Sequence, residues 1–87
     1  MDLKILLHFG LEHQLEKLKE EVDELIEAIK ENNREHIIEE TADVQNVLNQ
    51  FKALYEITDF NLVPVMEFKR DRTINRIESG YYERVEE

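Results

Sequence analysis

Leu11, Leu15, Leu18, Val22, Leu25 and Ile29 follow one another at spacings that alternate between four and three residues. An α-helix brings such positions onto one stripe, and a stripe of this kind needs a partner helix to cover it. The rest of the chain points the same way. Two glycines and one proline in 87 residues leave few breaks. Turn formers gather at Gly10, at Asn32-Asn33, at Thr58 to Asn61 with Pro64, and at Ser79-Gly80. No alternating strand pattern persists beyond a few residues. The pattern predicts helices over roughly 2–9, 11–31, 34–57 and 62–78, with Asn33 or Asp59 capping the helix that follows it. Ile37, Val44, Leu48, Phe51 and Tyr55 share a face of the third helix, and Met66, Ile74 and Ile77 form the side that the fourth is expected to bury. Phe51, Tyr55 and Phe68 read as core. Short connections between long helices imply antiparallel neighbours. The fold class is therefore all-α, an antiparallel helical bundle in a single domain over residues 1–87. A chain of this length buries only about 60% of its unfolded surface, so the bundle is expected to be completed by oligomerisation.

The formal charge of −10 narrows the choice of partners. Nucleic-acid binding rests on phosphate neutralisation, so no nucleic-acid polymer is expected, whereas divalent cations suit such a chain. With hydrophobic residues at 41%, the sequence is too apolar for a disordered acidic tail. No apolar run is long enough to span a membrane. Met1-Asp2-Leu3-Lys4 lacks the basic region and apolar stretch of a signal peptide. With no cysteine, the chain fits a reducing compartment, and a cytoplasmic location is expected.

Most of the acids need no special role. Glu12, Glu16, Glu27 and Glu31 lie off the seam, and Glu16 and Glu20 with Lys17, Lys19 and Lys30 read as a solvated mixture. Four acids break the pattern. Glu21 stands beside the leucine seam, and Glu24 is one turn on, on the same side. Glu40 falls inside the apolar stripe of the third helix, between the directions of Ile37 and Val47. Asp43 follows one turn later, beside Val47 and Leu54. A carboxylate on a packing face is costly unless something compensates. Four of them, converging from two antiparallel helices, would either hold protons or bind metal. Oxygen-only ligands favour Mg2+ or Mn2+ over zinc. The alternative is that these acids pair with Lys or Arg on a neighbour, or sit at the rim of the bundle. A di-iron carboxylate bundle would need Glu-x-x-His pairs. The residues three before His8, His13 and His36 are Ile5, Gly10 and Asn33. The histidines therefore read as surface or half-buried residues.

Glu20-Glu21-Val22-Asp23-Glu24, followed after fifteen residues by Glu40-Thr41-Ala42-Asp43, resembles the EExxE…ExxD signature. That signature belongs to the all-α nucleoside triphosphate pyrophosphohydrolases, the MazG-like proteins and their dimeric dUTPase relatives. His13-Gln14, the run from Asp43-Val44 through Leu54, and Phe68-Lys69-Arg70-Asp71-Arg72-Thr73 with Arg76-Ile77 extend the likeness over roughly residues 9–82. The resemblance implies hydrolysis of a nucleoside triphosphate to the monophosphate and pyrophosphate. It implies Mg2+ held by Glu21, Glu24, Glu40 and Asp43, with Glu20 in support. It also implies assembly as a homodimer or homotetramer, with substrate near a subunit interface.

Such chemistry needs positive side chains against the phosphates as charge shifts to the leaving group. Lys69, Arg72 and Arg76 share one face of the fourth helix, with Arg70 beside them. They read either as a phosphate-facing strip or as a solvated face that pairs with acids elsewhere. Gln14, seven residues before Glu21, could reach a base or sugar edge, and so could Asn46 and Gln50 on the side of Asp43. Alternatively these amides sit at the surface or orient a ligating acid. Tyr81 and Tyr82 after Gly80 could cover the site, stack on a base, or pin the C-terminus to a neighbour. Two other classes of function compete with the hydrolase. One is a non-catalytic acidic helical module that dimerises and docks a partner, and the other is a degenerate family member that binds nucleotide or metal without turnover.

Overall fold

The structure, a computed structural model, describes residues 2–85; Met1 and the last two residues of the expected domain lie outside them. The described residues form α1 (Asp2–Phe9), α2 (Leu11–Glu31), α3 (Arg34–Leu54), α4 (Asp59–Glu78) and α5 (Tyr81–Val85), with no strand among them. The all-α expectation holds. The chain divides into two compact units, Met1–Glu56 and Ile57–Glu87.

In the first unit, α2 and α3 pack against each other and α1 lies against both, chiefly α3. The two long helices are antiparallel because only Asn32 and Asn33 separate them. Asn32 takes the left-handed conformation (φ 57°) and its N–H donates to the Ile29 carbonyl, closing α2. An asparagine tolerates that conformation better than most residues. Asn33 opens α3, its Oδ1 accepting from the His36 N–H at 3.1 Å, as the capping expectation required. Gly10 joins α1 to α2 at φ 94°, backbone that a side chain disfavours.

The interior of this unit is thin and unusually polar. The buried apolar residues are Leu6, Ala28 and Val47, and beside them Gln14, Glu21, Glu40 and Gln50 are also buried. Gln14 Nε2 donates to Gln50 Oε1 at 2.7 Å across the α2–α3 contact, and His13 Nδ1 lies 2.8 Å from Gln14 Oε1. Both Gln14 and Gln50 thus have a tertiary role rather than a place at the surface. Removing one side of a buried hydrogen bond leaves the other unsatisfied. Gln14→Leu is expected to lower stability by about 1–3 kcal/mol. Adding Gln50→Leu should recover part of that loss in urea denaturation; additive losses would mean that the pair does not act as a unit.

α3 stops at Leu54, three residues before its predicted end; in the second unit, α4 starts at Asp59, three residues earlier than the pattern predicts. The reason lies in Asn61, whose Oδ1 folds back to accept from the Thr58 N–H at 3.1 Å and the Thr58 hydroxyl at 3.0 Å. Thr58, not Asp59, is the N-terminal cap. Pro64 sits inside the helix, which continues past it, at the loss of one backbone bond. No residue of α4 is buried in the single chain. Met66, Ile74 and Ile77, expected to be buried, are exposed, as are Tyr55 and Phe68, which had read as core; Phe51 is half-buried. The period of a helix shows which face is apolar, not what covers it. α5 was not anticipated as a helix and carries Tyr81 and Tyr82. Among the described residues, no helix is long and apolar enough to cross a membrane.

Candidate functional site

The polar middle of the α2–α3 pair is the candidate site. Glu21 and Glu24 project from one turn of α2, and Glu40 comes from the first half of α3, brought opposite by the Asn32-Asn33 turn. One carboxylate oxygen from each of the three lies within 4.8 Å of the others. Glu21 and Glu40 are only 5% and 9% exposed, while Glu24 is exposed. The seam and stripe geometry leads one to expect four acids here, Glu21, Glu24, Glu40 and Asp43, of which the structure brings three into one close group. Asp43 is exposed and lies outside that close group. Its side chain is one methylene shorter than a glutamate's. Glu20 is also exposed.

Lys17 and His36 are the site residues that sequence reasoning did not pick out. Lys17 Nζ stands 3.0 Å from Glu21 Oε2 and 3.4 Å from Glu20 Oε1. His36 Nε2 stands 3.2 Å from Glu40 Oε2, and its Nδ1 3.5 Å from Glu31 Oε1. Both contacts to the buried acids span four residues on one helix, a spacing visible in the sequence. The spacing alone is not diagnostic, because Lys17 belongs to a run that reads as solvated and His36 has no metal-ligand spacing. The alternative in which the acids pair with a base is therefore met in part, with the partner for Glu21 being Lys17 of its own helix.

That pairing is incomplete. Glu21 Oε1 and Glu40 Oε1 are buried and have no hydrogen-bond partner. An unsatisfied buried carboxylate oxygen is costly, and two of them beside a third carboxylate are a donor set suited to a hard cation. Electrostatics agree. The Glu24 carboxyl is held above the ordinary carboxylate range, first by lost hydration and then by the charges of Glu21 and Glu40. Lys17 is shifted upward by its hydrogen bonds to Glu21 and Glu20.

The Glu24 shift fixes a sign. Between the ordinary carboxylate value and the raised one, the folded chain holds more protons than the unfolded chain, so stability falls as pH rises. Metal-free protein is expected to melt at progressively lower temperature across that window and to level off above it. A melting series in chelator checks this; flat or rising stability there would mean that the three acids do not press on one another.

In the second unit, Arg72 lies over the Phe68 ring at 5.7 Å, and Arg76 over the Tyr81 ring at 4.7 Å. Phe68, Asp71, Arg72, Asn75, Arg76 and Ser79 line a shallow groove. Arg70 points its charge at Asp71 instead, with Nε 3.6 Å from Oδ1. Lys69 is exposed. Tyr81 and Tyr82 meet edge to face. Arg72 and Arg76 thus rest on aromatic faces, which hold a guanidinium without neutralising it.

Comparison with curated proteins and with solved structures gives no significant match. The model of the MazG nucleotide pyrophosphohydrolase domain matches residues 9–79, which take in α2, α3 and the whole of α4. The match covers most of the chain and includes the three clustered acids; the chain belongs to the MazG nucleotide pyrophosphohydrolase family.

Proposed function

We propose that the chain is a nucleoside triphosphate pyrophosphohydrolase that works with Mg2+, or with Mn2+ in its place, and serves nucleotide-pool cleaning or control in the cytoplasm. The observation that carries this reading is the pair of buried carboxylates, each with an unpartnered oxygen, set within reach of a third acid. Family membership supplies the reaction class.

In this reading Glu21, Glu24 and Glu40 hold the cation, and Asp43, one turn after Glu40, is the fourth acid. When bound, Mg2+ supplies positive charge against the triphosphate and a lowered pKa for the attacking water. One of the carboxylates orients that water and accepts its proton. Glu20, bonded to Lys17, supports the cluster from the solvent side. Lys69, Arg72 and Arg76, which share one face of α4, are the side chains proposed to bind phosphate, with Arg able to make forked contacts. Gln14 and Asn46 are candidates for the base or sugar, though unequally. Asn46 is exposed, whereas Gln14 must give up its bond to Gln50 or His13 to take a ligand. The apolar surface left open in the single chain supports a homodimer or homotetramer.

The test is pyrophosphate release from a panel of ordinary and modified NTPs and dNTPs with Mg2+, beside a chelator control. Turnover abolished by the chelator is the expected result. Metal binding without turnover on any nucleotide would favour a degenerate member. Neither binding nor turnover would favour a docking module.

A further inference from the structure

Glu21 and Glu40 are held in matching ways. Each stands four residues after a basic side chain of its own helix, and each gives Oε2 to that side chain, to Lys17 Nζ at 3.0 Å and to His36 Nε2 at 3.2 Å. Each keeps Oε1 buried and without a partner. The helix alone does not require this. A carboxylate turns about its last carbon–carbon bond, and its terminal torsion is broad and two-fold. A donor on one oxygen removes that freedom and fixes where the other oxygen points. Two buried acids, one on each helix, arrive at the same arrangement with chemically different nitrogen partners.

We propose that Lys17 and His36 are positioning residues, which tie one oxygen of Glu21 and of Glu40 so that the other is presented as a cation ligand. The inference rests on the metal-dependent reading given above. Groups that hydrogen-bond to ligating side chains typically govern metal affinity by about 10–100-fold. A simple counter-ion would act with the opposite sign. Were Lys17 merely a charge standing in for the metal, its removal would take away a competitor and tighten cation binding. The direction of the change therefore separates the two roles.

The experiment is Mn2+ binding to the full chain, followed by electron paramagnetic resonance of the free ion at fixed pH and salt, with Mg2+ competition. Lys17→Met and His36→Leu should each raise the Kd for Mn2+ by about 10–100-fold. Lys17→Arg and His36→Gln, which keep a donor at the same place, should stay within about threefold of the parent, well inside that range. The conservative pair carries the test even if the apolar variants lose helix content by circular dichroism. Unchanged or tighter binding in folded Lys17→Met and His36→Leu would overturn the proposal, and so would a large loss in the conservative pair. Failure of the parent chain to bind Mn2+ would overturn the metal reading and this inference together, whereas normal binding by the parent with indifferent variants overturns this inference alone.

Discussion

Glu40→Gln is expected to abolish cation binding and pyrophosphate release while making the metal-free protein more stable. The two effects come from one carboxylate. Glu40 is buried, is one of the three acids that share a small volume, and carries an oxygen with no partner. Glutamine keeps the shape, removes the charge and supplies an N–H donor that a neighbouring carboxylate can accept. Relief of an unsatisfied buried group is worth about 1–3 kcal/mol, part of which is lost with the contact to His36. A net gain of about 1 kcal/mol in chelator is the expected outcome. Loss of a cation ligand on which the reaction depends should lower kcat/KM by about a thousandfold or more, or about 4 kcal/mol of barrier. Urea denaturation in chelator and the nucleotide assay give both numbers on one preparation. Lower metal-free stability together with lost turnover would mark Glu40 as a structural acid and sink the site as described.

The second large effect concerns the leucine seam. Leu15 is 50% exposed and Ile29 54% exposed in the single chain. Were they on the surface of a monomer, replacing both by glutamate would change stability by no more than about 0.5 kcal/mol at each position. If a second copy covers them, every protomer would bring two unpaired charges into an apolar contact. Each such burial costs several kcal/mol, so the assembly should weaken by about a thousandfold or more. Sedimentation equilibrium of the Leu15→Glu, Ile29→Glu chain is expected to show protomers where the parent is a dimer or tetramer. The parent's melting temperature should also rise with protein concentration, as linkage requires of an assembly whose unfolded chains are separate. A parent chain that sediments as a monomer would overturn the oligomer reading.

The particular residues show what a sequence alone can reveal of such a protein. Helix periodicity placed Glu21, Glu24 and Glu40 on facing sides of consecutive helices, because side-chain direction on a helix follows from residue number alone. The same angle served less well for Asp43, which is exposed and lies outside the close group of three. From the sequence, Gln14 and Gln50 read as candidates for a ligand rather than for each other. An amide leaves no periodic mark, and a bond between residues 36 apart depends on how far the two helices slide. Lys17 and His36 were in plain view at the spacing of one helical turn, but so were other Lys–Glu pairs that stay solvated. Burial of the acid makes the difference, and burial is a property of the folded chain. The early start of α4 turned on Asn61 bonding back to Thr58, a local contact that the neighbouring proline obscured.

The two-residue turn at Asn32-Asn33 has a consequence for how the protein is made. It places Glu21, Glu24 and Glu40 in one uninterrupted helix–turn–helix stretch. The entropy of closing a loop grows with its length, and contacts close in sequence form before distant ones. The three acids are thus gathered when the hairpin zips, without waiting for a further segment to dock. Their mutual repulsion is met at that early stage as well, so a cation present during folding would favour the hairpin itself as well as the finished protein.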